Sequence, residues 1–477
     1  MGVAIISVGC NLSPKYSRPS PPVPAEWPKG EAYEETSQET SASDAPALKW
    51  QEFFADEKLQ KLIETALKNN RDLRLAALNV ERAQAQYGIQ RGELFPAFRL
   101  VGAGSKQSLP ADLSNSGRRT TVEQYSANLA VLSWELDFFG RIRSLSDRAL
   151  EEYLATEQAR RSAQILLVSG VANAYLALAA DREHLRLAET TLETQQAAYD
   201  LVKRRHDLGL ATELDLYRAQ TQVDAAQVEL ARFRQLVALD ENALNLLLGS
   251  PSPSELLPSE LGNATVLKEI SPGVSSEALL RRPDVLQAEN LLKATHANIG
   301  AARANFFPRI SLTAAAGTAS DDLSGLFKSG SGTWSFAPQI LMPVFDARLR
   351  PGLKGAHVQR EIALTQYEKA IQNAFREVAD ALALRGTVNQ QLSAQESLVK
   401  AVSETHRLSN SRYDKGVDSY LSVLDAQRSL YAAQQGLITL RLAKLAHHIR
   451  LYAALGGGWE APDASPTTAS ASSTTEP

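Results

Sequence analysis

The chain is written twice on one plan, and that duplication restricts its possible folds more than any other feature. The segment AQAQYGIQRGELFPAFRL faces THANIGAARANFFPRISL, pairing Gly88 with Gly300, Arg91 with Arg303, Phe95 with Phe307 and Pro96 with Pro308 at an offset of 212. Further on, KRRHDLGLATELDLYRAQT faces NSRYDKGVDSYLSVLDAQR, pairing Arg205 with Arg412, Asp207 with Asp414, Gly209 with Gly416 and Gln220 with Gln427 at an offset of 207. Leu248-Gly249 and Leu455-Gly456 close the two units. The first repeat therefore spans 48–249 and the second 272–458, with a Pro/Ser-rich linker at 250–271. Residues 10–47 read as an extended, Pro-rich segment, and 459–477 as a disordered Ser/Thr/Ala/Pro tail.

Each repeat reads as a helix, two strands and two long helices. Lys58 to Glu93 is helical in composition, with Leu59, Leu62, Ile63, Ala66 and Leu67 at helical spacing, and Phe95-Pro96 ends it. From Arg141 to about Arg205 there is no proline and one glycine, Gly170, among good helix formers. Such a helix is roughly 100 Å long, too long for one compact domain. Gly209 breaks it, and Thr212 to Leu248 returns. The second repeat runs from Leu349 to Arg412, breaks at Gly416 and returns from Ser419 to Leu455.

Between these helices the period changes to two. Ile310, Leu312, Ala314 and Ala316 alternate with Arg309, Ser311, Thr313 and Ala315; Trp334, Phe336, Pro338, Ile340 and Met342 alternate with Ser335, Ala337 and Gln339. Tyr125, Ala127, Leu129 and Val131 do the same in the first repeat. Strand lengths of about ten residues suit a membrane crossing. The alternation predicts that Arg309, Ser311 and Thr313 face a lumen while Trp334 and Phe336 face lipid. No uninterrupted run of 18 apolar residues is present, so a membrane crossing by this chain requires strands. Two strands per repeat give four per chain, whereas the smallest membrane barrels have roughly eight. An open edge in lipid costs several kcal/mol per unsatisfied backbone group. The chain must therefore keep its sheet out of lipid or pool strands with copies of itself. Three copies give twelve strands, although the repeat alone does not fix that number.

Lys and Arg total 50 against 54 Asp and Glu, a balance that argues against nucleic acid as a partner. The single cysteine, Cys10, follows the small residues of Ser7-Val8-Gly9 and precedes a proline-rich stretch, a pattern similar to a lipoprotein cleavage site. Residues 1–9 then read as the remnant of a lipoprotein signal, although they contain no Lys or Arg. The seven histidines are scattered without a metal-binding spacing. No catalytic constellation, cofactor motif or metal site is expected, and an enzyme is the least supported reading.

At this point the residues resemble a known family. LKWQEFFADEKLQKLIETALKNNRDLRLAALN, SWELDFFGRIRSLSDRALEEYLATEQARRSAQ, RRPDVLQAENLLKATHANIGAARANFFPRISLTAAAG, GVDSYLSVLDAQRSLYAAQQGLI and LYAALGGGW are similar to the TolC/OprM outer-membrane efflux proteins, above all the lipoprotein OprM-like branch. The likeness covers nearly the whole chain from Cys10 to Trp459, and the signal region departs from it. The resemblance implies an α+β membrane protein. It would be a homotrimer with a twelve-stranded outer-membrane β-barrel, four strands per chain, continuous with a long periplasmic α-helical barrel. It implies a passive exit duct working with a periplasmic adaptor and an inner-membrane pump of the resistance-nodulation-division class, and lipidation at Cys10. By match, Arg205, Gly209, Leu210, Arg412, Gly416 and Val417 lie at the adaptor-facing tips. Asp425 matches an aspartate lining the periplasmic constriction. Ser422 stands where a second acidic residue often occurs, which puts a double acidic ring in doubt. Asp215 and Tyr413 match a pair that latches the closed tip. Two other readings stay open: a duct for type I protein secretion, and a periplasmic coiled-coil scaffold or adaptor lipoprotein.

Overall fold

The computed structural model describes residues 11–33, 49–115, 117–263 and 276–457. Cys10 and Trp459 lie outside the described residues. The elements run α1 (Trp50–Phe53), α2 (Glu57–Asn69), α3 (Arg71–Gly92), β1 (Phe98–Leu109), β2 (Thr120–Leu136), α4 (Arg141–Asp207), α5 (Glu213–Leu248), α6 (Pro283–Ala304), β3 (Arg309–Ser320), β4 (Gly332–Leu341), α7 (Leu349–Asp414) and α8 (Tyr420–Ala454). The chain divides into two compact units: Met1–Ser20, Leu78–Gln158 and Leu286–Lys369 in one, Pro21–Ala77, Ala159–Val285 and Ala370–Pro477 in the other. Each unit draws on both sequence repeats.

The first unit holds one antiparallel sheet in the order β1-β2-β3-β4. Residues directly opposite in an antiparallel pair share a face. Phe98 faces Val131 and Leu100 faces Leu129. Val131 faces Ala314 and Leu129 faces Ala316. Ala314 in turn faces Phe336, Ala316 faces Trp334, and Ile310 faces Ile340. One side of the sheet thus gathers most of the large apolar residues of the four strands, with Lys106 and Glu123 paired at its far end, while Val101, Leu132 and Leu341 lie on the other side. Trp334, Phe336 and Ile340 on it are 79, 62 and 69% exposed. The other side carries Arg309, Ser311, Thr313, Ser126, Asn128, Ser335 and Gln339, each paired within that same set of alternating positions. The register shifts once, between Leu132 and Trp134, where Ser133 adopts φ 76°. That bulge keeps Trp134 on the apolar side, and its indole Nε1 donates to the Leu94 carbonyl at 3.2 Å. β1 and β4 are the two edges of the sheet.

Also in this unit, the N-terminal segment is tied to α6. The Glu289 carboxylate, its side chain only 3% exposed, accepts from Tyr16 Oη at 3.1 Å and from Arg18 Nε at 3.1 Å, and pairs with Arg18 Nη2. A buried carboxylate is tolerable because it is paired and hydrogen-bonded.

The second unit is helical. Trp50, Phe53, Phe54, Leu59, Leu62 and Ile63 form a core with Val168, Val171, Tyr175, Leu244, Leu248, Ile449 and Tyr452. The Phe53 and Tyr452 rings stack with centroids 4.1 Å apart. One stretch of α4 is long and apolar enough to cross a bilayer, but 61% of it is buried inside the chain; it is the core-facing part of this helix. Asp56 caps α2, accepting from Lys58 N at 2.8 Å, and its second oxygen accepts from the Tyr175 hydroxyl at 2.9 Å.

One expectation is corrected here. The helix read as continuous from Lys58 to Glu93 is two helices broken at Asn70. The Asn70 amide competes with the backbone: its Oδ1 accepts from Leu73 N at 2.9 Å as the cap of α3, and its Nδ2 donates to the Leu247 carbonyl at 2.9 Å. The end of α5 fits against this break because it ends in glycine. Gly249 has φ 67°, and a Cβ there would stand 2.5 Å from the Asn69 carbonyl oxygen.

Candidate functional site

The candidate site is the pair of helix turns, α4 to α5 and α7 to α8, all within the second unit. Both turns are made the same way. Gly209 donates to the His206 carbonyl at 2.8 Å and Leu210 to the Arg205 carbonyl at 2.8 Å; Gly416 donates to Tyr413 at 2.9 Å and Val417 to Arg412 at 3.0 Å. This double closure by a left-handed residue is the Schellman motif, and both glycines sit at φ 72°. The pattern explains why glycine recurs at these two positions without appeal to any partner.

After each turn a helix restarts, but the two restarts differ. At α5, Thr212 and Asp215 form a reciprocal capping box. Thr212 Oγ1 accepts from Asp215 N at 3.2 Å and donates to the Asp215 carboxylate at 2.7 Å. At α8, Ser419 makes no such side-chain cap. Instead the Arg412 guanidinium clamps the Asp418 carboxylate across the turn, with Nε to Oδ2 at 2.5 Å and Nη2 to Oδ1 at 3.2 Å. That bond holds the Asp418 carboxyl below the usual range and raises Arg412. The equivalent Arg205 points elsewhere: its guanidinium lies 5.1 Å from the centre of the Tyr413 ring.

Beneath the turns, Val202, Ala219, Tyr420, Val423 and Leu424 form a small core, with Tyr199, Ala211, Leu216 and Tyr413 packed against it. The Tyr413 and Tyr420 rings are 5.2 Å apart. The Tyr420 hydroxyl is buried and has no hydrogen-bond partner among the described residues. Burial, with Tyr413 and Asp215 nearby, pushes it up to about 12. Within the single chain the Tyr413 hydroxyl and the Asp215 carboxylate are not hydrogen-bonded to each other; Asp215 is engaged by Thr212.

Asp425 and Ser422 are both exposed, three residues apart on one face of α8, while Val423, Leu424 and Ala426 turn inward. The turns also present apolar side chains to solvent: Leu208 is 73%, Leu210 68% and Val417 60% exposed. Sequence reasoning singled out the glycines, arginines and aspartates of the turns but missed Tyr420, Asp418 and Thr212. Thr212 was readable, because Thr-x-x-Asp before a helical run is a capping signature. The Arg412–Asp418 clamp carries no pattern of its own. Among the described residues no cluster of His, Cys, Asp or Glu is arranged to hold a metal ion.

A sheet with one apolar face and two free edges, together with two long hairpins ending in matched glycine turns, defines the architecture of an outer-membrane exit channel. The chain belongs to the outer membrane efflux protein family, whose model matches residues 62–250 and 274–457. It is 50% identical over 459 residues to the toluene efflux pump outer membrane protein TtgC of Pseudomonas putida, covering 96% of this chain and 94% of that protein. The antibiotic efflux pump outer membrane protein ArpC of Pseudomonas putida matches with the same identity and coverage. Among solved structures, the open-state MtrE outer membrane channel of Neisseria gonorrhoeae is similar with a TM-score of 0.84 and 36% identity, covering 94% of this chain and 98% of that one.

Proposed function

We propose that three copies of this chain pool their strands into one twelve-stranded outer-membrane barrel, forming the passive exit duct of a tripartite pump for small apolar molecules. The observation that carries this is the sheet: four antiparallel strands with a continuous apolar face and two unpaired edges cannot stand alone in lipid. The relatives named for toluene and antibiotic efflux favour small molecules over secreted proteins. The sheet itself disfavours a coiled-coil scaffold or adaptor, which has no use for strands with an apolar outer face. The energy for transport comes from an inner-membrane pump of the resistance-nodulation-division class, reached through a periplasmic adaptor. Cys10 is the lipid anchor, and the mature chain is held by several acyl chains together.

In this reading the exposed Leu210 and Val417, beside Arg205, Gly209, Arg412 and Gly416, form the adaptor-facing tips. Asp425, exposed on α8 and repeated three times about the axis, lines the constriction with Ser422 beside it, and favours cations there. Tyr413 and Asp215 latch the closed tip between hairpins, and adaptor engagement releases them. A strain lacking the gene tests the function. It should become sensitive to toluene and to antibiotics, and the intact gene should restore tolerance; unchanged tolerance in the deletion strain, with no other efflux channel expressed, contradicts the reading.

A further inference from the structure

The four strands hold five charged residues: Arg99, Lys106, Glu123, Glu135 and Arg309. Lys106 and Glu123 stand directly opposite each other and pair on the apolar side of the sheet. The other three are on the opposite side. Arg99 faces Ala130, which faces Ala315, and Arg309 belongs to that same alternating set. Glu135 faces Ser311, two residues from Arg309, and so joins it there. All three also gather at one end. Arg99 is the second residue of β1, Glu135 the last but one of β2 and Arg309 the first of β3, so they sit where the strands join the helices. Beyond them this side of the strands carries neutral residues alone, such as Gln124, Asn128, Thr313 and Gln339.

The contacts leave the charge unequal. Arg141, the first residue of α4, takes the Glu135 carboxylate in a fork, Nε to Oε1 at 2.8 Å and Nη2 to Oε2 at 2.7 Å. A two-pronged bond of this kind is the strong geometry for an arginine and a carboxylate. Arg309 Nε reaches the same carboxylate at 3.3 Å, with its side chain half exposed. One carboxylate therefore answers two guanidinium groups. Arg99 is exposed and has no hydrogen bond or ion pair among the described residues. With Arg141, Glu135 and Glu93 it lines a cavity of about 400 Å³. Glu93 lies just before β1 and accepts from Gln90 Nε2 at 2.8 Å. Three arginines thus stand against two carboxylates, and each chain keeps a positive charge in excess at this end of the sheet.

We propose that Arg99 and Arg309 set the charge preference of the strand barrel, drawing anions, inorganic or carboxylate-bearing, to the helix-side end of its inner wall. This rests on the multi-copy barrel proposed above and goes further by naming the wall residues that act on solutes. With the apolar side turned to lipid, the side of Arg99, Glu135 and Arg309 faces the water of the duct. Repetition about the axis makes a ring of each, and rings of Arg or Lys favour anions as acidic rings favour cations. A unit charge ~10 Å away in water changes the local concentration of an ion roughly twofold. Arg141 contributes by occupying Glu135, which leaves Arg309 incompletely neutralised. The preference is opposite in sign to that of Asp425 on α8.

The test measures the reversal potential of the full-length protein in planar bilayers, with its mass in detergent determined on the same sample. The two solutions are about 0.01 M and about 0.1 M KCl, in which fixed charges reach ~30 and ~10 Å. Because Asp425 is itself proposed to favour cations, each substitution is made in the native chain and again with Asp425→Ala. Arg99→Gln and Arg309→Gln should each lower the chloride-to-potassium permeability ratio by about twofold, and the two together should lower it further. Glu135→Gln should move the ratio the other way, a change of sign that loosened packing does not produce. At about 1 M salt, where the screening length is ~3 Å, the differences should vanish. If Arg309→Gln fails to assemble, Arg99→Gln decides, because Arg99 bonds to none of the described residues. A wild-type trimer whose permeability ratio at low salt is moved by neither Arg99→Gln nor Arg309→Gln overturns the inference and leaves the barrel standing. A wild-type protein that gives no unit conductance removes the barrel itself.

Discussion

Arg282 should be the most sensitive single residue of the helical unit. Its side chain is 9% exposed and all its donors point into protein. Nε and Nη2 grip the Asp284 carboxylate at 3.0 and 2.7 Å, Nη2 also reaches Glu377 at 2.8 Å, and Nη1 donates to the Ala454 carbonyl at 2.6 Å. The last bond satisfies one of the open carbonyls at the end of α8. Arg282 therefore joins three stretches of chain far apart in sequence: the start of α6, the middle of α7 and the end of α8. Removing one partner of a buried ion pair costs about 3–5 kcal/mol because the other charge is stranded. Here Asp284 and Glu377 are 43 and 37% exposed and water can reach them, so Arg282→Met should cost roughly 2–3 kcal/mol. Arg282→Lys keeps the charge but not the fork, and should recover less than half of that. The assay is thermal unfolding in detergent together with hydrogen exchange of the α8 amides near Ala454. A lower midpoint with faster exchange confined to that end is expected. Arg282→Met within about 0.5 kcal/mol of wild type, with unchanged exchange, refutes the reasoning.

Asp425→Ala should lower cation preference and change single-channel conductance, and identical currents before and after substitution would place Asp425 away from the constriction. Gly416→Val forces a β-branched residue into φ 72°, which should cost about 1–2 kcal/mol and loosen the turn; amide exchange at Val417 no faster than in wild type contradicts the turn's assignment. Burial, and then the charges of His448, Arg385 and Arg450, hold His447 down at about 4, against an ordinary value near 6.5. A depressed histidine binds its proton less well folded than unfolded, so stability is complete above about 6.5 and declines as pH falls towards 4, by roughly 3 kcal/mol in total. His447→Leu should flatten that decline between pH 7 and 4, and an equally steep loss of melting temperature in the variant would assign the acid sensitivity to other groups.

Much of this architecture was legible because it rests on periodicity and punctuation. The alternation of Trp334, Phe336 and Ile340 marks a strand with one apolar face, but the register between strands is seen only in the pairing of the folded sheet. Gly209 and Gly416 mark the hairpin ends because few other residues adopt a left-handed cap. What escaped the sequence depends on contacts between distant residues. Asn70 looks like one more polar residue on a helix until its amide is seen to reach Leu247. Arg412 and Arg205 are equivalent by alignment, yet one clamps Asp418 and the other lies over Tyr413, because Ala211 stands at the position equivalent to Asp418 and offers no carboxylate. Tyr420 gave no signal at all, since a tyrosine at the start of a helix is unremarkable until the packing of Val202 and Leu424 buries its hydroxyl.

The central claim is that the sheet works only when shared between copies. The most direct measurement reconstitutes the detergent-purified protein in a planar lipid bilayer and determines its mass on the same sample. The account predicts the mass of three chains and stable unit conductances. A single chain that inserts no conductance, at protein concentrations where related channels conduct, contradicts it.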